Sequence, residues 1–490
     1  MKTSSKSFLV IIVLLIQNYT AQKRSDSINA FITHKMQELK IPGLQLAVIR
    51  NEKIDHLSHY GLANIEHGIA TKNNTVFSIN SMTKAFVGVA VMQLQEQGKL
   101  KTNDPISKYI TDIPENWKKI TIRQLLSNTS GLPNNIDEKE QVLGDGIENK
   151  NWEIVKTLPM EFSPGEKFSY NQTGYFILGK IITQLSGVHF TKFIEDNQFK
   201  PSKLLVTQFG DSNDIIENSA GAYSTIINND GHWINDGKLH NAYATFPLFF
   251  RTATGILSSA EDLSKWILAL QEGKLLKDQK SIRELFTTIK LNNGDIGGFN
   301  KLTNGYALGW PTVVRTEHPA VAPVGGMRSA LFVYPQDHLS IVVLTNLQGS
   351  NPEWFIDEIA GYYIPDMKAE NGFGLSPNMK MLYLQTRADG YQNVALVYQK
   401  IKKKNKSFKV SEDEINSWGY QMMGRDLKNE ALAVFKLNKE LFPNSSNVFD
   451  SYGEILDALG RKQEAIMNYK KSLLLNPDNT NAANYLKDKK

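Results

Sequence analysis

Ser81-Met82-Thr83-Lys84 opens an apolar run from Ala85 to Leu94 that is closed by charged and polar residues and then Gly98. Apolar side chains on nearly every face place such a helix in the middle of a core, and Gly98 is positioned to end it. The rest of the chain has to be built around this helix. Ser81 then falls in the first turn, where unpaired N–H groups and the positive end of the helix dipole favour an oxygen nucleophile or a developing oxyanion. Lys84, three residues on, shares its face and comes within reach of its hydroxyl. An amine in apolar surroundings loses proton affinity and can act as a base. A lone Ser-x-x-Lys is better read as a helix cap with a solvated Lys. The company this one keeps argues for chemistry.

A chain of 490 residues calls for two or three domains. The net charge of +5 is small and scattered, so nucleic acid is not an expected partner. The densest basic run, Lys402-Lys403-Lys404-Asn405-Lys406, reads as the solvated end of a helix. There is no cysteine, which excludes disulfides, a thiol nucleophile, thiolate metal sites and a lipid-modified N-terminal Cys. Among the nine His residues, His56 and His59 lie three apart in a strand and point to opposite faces, so no metal is assigned and no cofactor is expected. Residues 1–21 read as a secretory signal peptide: Lys2 and Lys6 precede nine apolar residues, Phe8 to Ile16. Nine is too few to span a bilayer, which takes roughly 20. Cleavage is expected after Ala21, with an uncleaved anchor as the alternative because Tyr19 fits the cleavage pattern poorly. Either way the body of the protein is exported, periplasmic or secreted, with no membrane span once the signal is removed.

Residues 25–40 carry Ile28, Phe31, Ile32, Met36 and Leu39 at helical spacing. Strands at 44–50 and 53–60, joined through Asn51-Glu52, form an expected hairpin. From about 101 to 300 mostly helices and loops are expected. Strands Ser329–Tyr334 and Leu339–Thr345 and a helix over 352–363 complete the segment. This order describes an α+β domain at 25–365 whose antiparallel sheet is assembled from both ends. A Gly- and Pro-containing linker follows at 366–377. Within 378–490, Gly419, Ala431, Phe435 and Pro443 return as Gly453, Ala465, Tyr469 and Pro477, each 34 residues later. That is the tetratricopeptide period, with small residues where paired helices touch. Trp418 and Tyr452 add a matching aromatic pair, residues 379–404 supply a diverged helix pair, and 480–486 a capping helix. The module either offers a surface to a protein or peptide partner or packs on the first domain and stabilises it.

Around Ser81 and Lys84 the chain has to supply an acid or base, oxyanion donors and a pocket wall. Tyr170, in Tyr170-Asn171-Gln172-Thr173-Gly174-Tyr175, follows the turn Phe162-Ser163-Pro164-Gly165. It is either a proton shuttle beside the amine or a core aromatic at a loop-to-helix junction. With these pieces the chain resembles the serine β-lactamase and penicillin-recognising family, in its class C-like serine hydrolase branch. The resemblance runs from about Ile28 to Tyr363. It also rests on Tyr60-Gly61-Leu62-Ala63-Asn64, the stretches 125–132 and 254–263, Tyr306-Ala307-Leu308-Gly309-Trp310, Gly325-Gly326 and Val342-Val343-Leu344-Thr345-Asn346.

The resemblance implies a β-lactamase-like antiparallel sheet with a helical subdomain, ahead of the all-α repeats, and acyl transfer through a covalent intermediate. Ser81 would attack a carbonyl, Lys84 would take its proton, and Tyr170 would protonate the leaving group. The backbone N–H groups of Ser81 and Gly326 would form the oxyanion hole. Gln172, Pro323 and Gly325 would lie at substrate-binding positions. Two of these depart from the family pattern. Gln172 stands where the second motif usually has Asn, and Pro323 where the third has Lys or His, so a substrate-holding charge is missing. His318, Arg328 and Arg251 are the basic residues that would compensate if the fold brought one near. An exported serine hydrolase of esterase or D-amino-acid peptidase type, acting on a small-molecule or peptide substrate, is the leading expectation. The alternative is a catalytically silent protein of the same fold that binds cell-wall peptides or a protein partner.

Overall fold

The protein was analysed as a computed structural model that describes residues 4–137, 141–229, 232–424 and 426–487. It divides into two compact units, Met1–Tyr362 and Tyr363–Lys490. Of the leader expected at 1–21, residues 1–3 lie outside the described residues. Ser4–Leu39 runs as a single helix that takes in the one expected at 25–40. None of the described helices is long and apolar enough to cross a membrane.

The first unit is α+β. Among the described residues an open sheet of nine strands, antiparallel throughout, holds Gly43–Arg50 and Lys53–Asn64 beside Leu339–Thr345 and Ser329–Tyr334. Leu44 pairs with Thr345 and Arg50 with Leu339, so strands almost 300 residues apart in sequence close the sheet from both ends, as its assembly predicted. Asn51 and Glu52 turn the N-terminal hairpin with positive φ at both positions (48° and 62°), the twist a two-residue connection needs. Side chains alternate across the strands. Ala47, Ile49, Leu331, Val333, Val342 and Leu344 face the main core. Leu46, Val48, Phe332 and Val343, buried too, face the other way.

The main core is built on the helix Thr83–Glu96, whose residues from Thr83 to Leu94 are all buried. Phe86 stacks on Trp266, ring centres 3.8 Å apart. Gly88 lets the 307–309 segment cross the helix: a Cβ there would stand 2.3 Å from the Leu308 carbonyl oxygen. Gly98 adopts φ +71° just past the helix end, as its position foretold.

The 101–300 region is mostly helices and loops, as expected, and adds an antiparallel hairpin of Tyr223–Asn229 and His232–Asn241. It carries Asn, Asp and Gly and exposed Ile226, Ile234 and Leu239, so no buried alternation announces it. The helix expected over 352–363 is a 3-10 turn, Pro352–Trp354, and a five-residue helix, Ile356–Ala360; Phe355, with φ −119°, interrupts it.

The second unit is all helical. Pro377–Asp389 and Val394–Lys404 form one pair; Glu412–Gly424, Lys428–Leu441, Ser446–Ala458, Lys462–Leu475 and Thr480–Lys487 follow, each of these packed on the next, and Val394–Lys404 meets Lys428–Leu441. Gly419 lies against Phe435, where a Cβ would meet the ring at 2.6 Å, and Gly453 repeats the approach to Tyr469 at 3.2 Å. Ala431 and Ala465 are fully buried at the matching places.

Candidate active site

Ser81 sits in the 3-10 turn Asn80–Met82, one turn ahead of the α-helix that begins at Thr83. The strand edge and the core hold this turn between them. Thr83 Oγ1 donates to the Asn80 carbonyl at 2.6 Å and accepts from Ile256 N–H. Ser329 Oγ donates to the carbonyl of Ile79 at 2.9 Å. Asn80 is left-handed, φ +49°.

Gly325 brings the sheet onto this turn. A Cβ at Gly325 would stand 2.0 Å from Ile79 O and 3.0 Å from Ser81 N, so no side chain separates that strand from the nucleophile's amide. Gly326 (φ +56°) lies against the Asn80 side chain. The backbones of Ser81 and of Gly325-Gly326 are therefore neighbours.

Lys84 points down from the helix into the core. It is 1 % exposed, and its Nζ donates to the Ala253 carbonyl at 2.7 Å. Nζ also lies 4.7 Å from the centre of the Tyr170 ring and 5.0 Å from that of Tyr175. Burial alone holds the amine well below the usual lysine value, since no carboxylate is near enough to offset it.

Tyr170 is delivered by a loop laced to 127–134. Gly165 N–H donates to Thr129 O, Ser169 N–H to Asn128 O, and Asn171 N–H to Asn128 Oδ1. Asn171 then caps the next helix, Thr173–Ser186, by accepting from Gly174 N–H at 2.8 Å. The Tyr170 hydroxyl lies beside the side chains of Ser81 and Gln172, which favour its ionised form, but burial outweighs them and pushes it above the ordinary tyrosine value. The ring packs on Phe299, 4.9 Å between centres. Ser81, Lys84 and Tyr170, widely spaced in sequence, thus meet at one place.

This place opens into a cleft of about 760 Å³ lined by Ser81, Tyr170, Gln172, Gly326 and the 224–227 and 241–244 parts of the hairpin. Among the described residues, three buried polar atoms on its wall have no partner: Gln172 Oε1, Thr254 Oγ1 and Arg328 Nε. Pro323 is buried, with its carbonyl accepting from Leu331 N–H. Of the three basic residues weighed against it, Arg251 is paired with Asp211 and Asp214 and His318 with Asp337. Arg328 alone of the three lines the cleft.

Sequence reasoning missed Tyr175 and Tyr306 as parts of the site. Tyr175 donates to Leu126 O at 2.8 Å and lies beside Tyr306, and burial raises both hydroxyls. Their signal was present in the stretches that begin at Tyr170 and Tyr306, but only the fold brings the Tyr175 ring to Lys84 Nζ and sets Tyr306 beside it. Thr254, too, was visible only as part of a longer stretch.

An open antiparallel sheet and a helical region meeting at a Ser-x-x-Lys turn make an architecture typical of serine hydrolases. Residues 28–361 match the family described as Beta-lactamase, and the chain belongs to it. It is 28% identical over 332 residues to Protein flp of Staphylococcus aureus (strain MRSA252), covering 65% of this chain and 62% of that one. The chain thus spans less than two thirds of that relative's length. Two solved structures share the fold. The octameric penicillin-binding protein homologue from Pyrococcus abyssi has a TM-score of 0.61 at 23% identity, over 73% of this chain and 81% of that one. The D-amino acid amidase from Ochrobactrum anthropi SV3, complexed with D-phenylalanine, has a TM-score of 0.58 at 20% identity, over 71% and 99%.

Proposed function

We propose that the chain is an exported serine hydrolase that acts on ester or amide substrates through an acyl-enzyme on Ser81. The observation that carries the reading is the meeting of Ser81 and Tyr170 over a buried Lys84 whose hydrogen bond goes to a carbonyl and not to a carboxylate. Burial shifts an amine of this kind toward its neutral form, the form that accepts a proton.

In the proposed cycle Lys84 Nζ takes the Ser81 proton while Oγ bonds to the substrate carbonyl carbon. The oxyanion that forms receives the N–H groups of Ser81 and Gly326, donors in place before the reaction begins. Tyr170 gives its phenolic proton to the departing alkoxide or amine and regains one from Lys84, which returns to neutrality. Water, deprotonated along the same route, then releases the acid. Gln172 Oε1 and Thr254 Oγ1, both unpartnered, are the groups proposed to accept and donate hydrogen bonds to substrate. Pro323 supplies no charge, which turns the proposal toward esters and D-amino-acid peptides and away from β-lactams. The C-terminal helices are proposed to be tetratricopeptide repeats serving a protein or peptide partner.

The test is the intact mass of the mature protein after incubation with a serine-reactive fluorophosphonate, beside Ser81→Ala. An adduct on the wild type that disappears in the variant is expected. Absence of an adduct on both would replace this reading with that of a binding protein.

A further inference from the structure

Phe299 is a large apolar side chain left 40 % exposed, and its ring packs on Tyr170 in an edge-on contact, 4.9 Å between centres. Two more rings join them. Phe168 meets Phe299 edge-on at 5.7 Å, and Tyr306 lies 5.9 Å from Phe299 and 5.4 Å from Phe168. Tyr170 lines the nucleophile's cleft and Phe299 does not. Phe299 therefore reaches the chemistry only through the phenol.

The loop that presents this ring is fixed on both sides of it. Before it, a Cβ on Gly297 would stand 2.3 Å from Phe168 Cβ, and one on Gly298 2.4 Å from Thr303 O. At the ring and after it, Phe299 N–H donates to Thr303 O at 2.8 Å, and Asn300 Oδ1 accepts from Leu302 N–H at 2.8 Å and Thr303 N–H at 3.0 Å. Ordering such a loop costs backbone entropy, and a ring left partly in water recovers little of it by burial. What the arrangement secures is an aromatic edge contact with Tyr170, a geometry that rings prefer.

A proton donor has to keep its hydroxyl aimed at the departing atom, and a small displacement is costly to rate. The titratable groups beside Tyr170 are Lys84 from the helix Thr83–Glu96, Tyr175 from the helix Thr173–Ser186 and Tyr306 from the strand Gly305–Tyr306. In the loop itself Asp295 and Lys301 are exposed. A phenolate is stabilised by water, so apolar surface laid over the phenol favours its protonated form.

We propose that Phe299 is a positioning residue of the site: its ring fixes the Tyr170 phenol beside Lys84 and shields it from water, so that the phenolic proton is kept for the leaving group. The proposal rests on the hydrolase reading above and gives its leaving-group step a residue outside the cleft.

The test compares the full chain with its F299A and F299Y variants on two esters: benzyl acetate, whose alkoxide needs a proton to depart, and para-nitrophenyl acetate, whose phenolate does not. The readout is kcat/KM, which reports the acylation step in which the leaving group departs. F299A is expected to lose about tenfold to 10² on benzyl acetate and much less on the activated ester. Its pH profile should also gain an alkaline fall near the ordinary tyrosine value, as water reaches the phenol. F299Y, which keeps the ring, is expected to restore both. No loss in F299A, an equal loss on both esters, an unchanged pH profile, or a loss that F299Y leaves in place overturns the proposal. If F299A does not fold, F299L, which keeps apolar bulk without the ring, takes its place with the same outcomes. If the wild type hydrolyses neither ester, the hydrolase reading fails, and the contact is read separately by NMR of carbon-labelled tyrosine rings, with Tyr170→Phe assigning the resonance. Ionisation of Tyr170 at lower pH in F299A than in the wild type then sustains the shielding, and the same titration in both overturns it.

Discussion

Lys84 Nζ stands 4.7 Å from the centre of the Tyr170 ring, and burial moves the two groups in opposite directions, the amine down and the phenol up. Burial favours the neutral form of each. That disposes the amine to act as a base and the phenol as an acid, which is the division of labour acyl transfer requires.

The pH profile of kcat/KM follows from this pair. Activity is expected to rise with pH along one limb centred at the lowered Lys84 value, below 10.5, and to show no alkaline fall at the ordinary tyrosine value of 10. Stability shares the sign. Between the lowered value and 10.5 the unfolded chain binds the Lys84 proton and the folded chain does not, so the contribution of this group to stability rises with pH across that window and is level on either side of it. Chemical denaturation across this range should show the slope in the wild type and its loss in Lys84→Met. A slope that survives in the variant counts against a neutral buried amine.

Tyr170→Phe keeps the ring against Phe299 and removes only the hydroxyl. Turnover of a simple ester is expected to drop by about 10² to 10⁴, the range for a positioned proton donor, with the melting temperature nearly unchanged. An ester with a good leaving group should suffer least, because its departure needs little help.

Gly325→Ala tests the strand beside the nucleophile. Its Cβ would come within 2.0 Å of Ile79 O, a backbone atom with nowhere to go. Moving the strand off Ser81 is expected to cost about 1–3 kcal/mol of stability and about 10²–10³ in kcat. Full turnover in a well-folded variant would place the oxyanion elsewhere.

Thr254→Val removes a buried hydroxyl that has no partner within the chain. Stability should hold or rise slightly, because no internal hydrogen bond is lost. KM for a substrate that bonds this group should rise about five- to tenfold. An unaltered KM would show that substrate passes Thr254 by.

In the second unit, Gly419→Ala and Gly453→Ala place a methyl 2.6 Å from the Phe435 ring and 3.2 Å from the Tyr469 ring. The tighter site should lose more, about 1–3 kcal/mol against under 1, as seen in the unfolding of the helical unit. Equal losses would mean that the two helix pairs relax differently from the way they pack.

What the amino-acid sequence determined alone was everything carried by short-range geometry. The Ser81-to-Lys84 spacing is less than one helical turn, the Asn51-Glu52 connection joins adjacent strands, and the 34-residue recurrence of Gly, Ala and aromatic positions is printed in the chain itself. Pairing of the terminal strands was legible too, because Ser329–Tyr334 and Leu339–Thr345 are predominantly apolar on both faces, and the structure buries every residue of both. Tertiary structure decided what depends on distant segments meeting. The hairpin of Tyr223–Asn229 and His232–Asn241 has a polar, turn-rich sequence and acquires its role from the cleft it borders. Tyr306 comes beside Tyr175, and glycines at 88 and 309 let the backbone that follows it cross the Lys84 helix. Phe299 reads as one more aromatic residue in the sequence. Its meaning lies in the Tyr170 ring it packs on, and that contact is a property of the whole fold that no local pattern encodes.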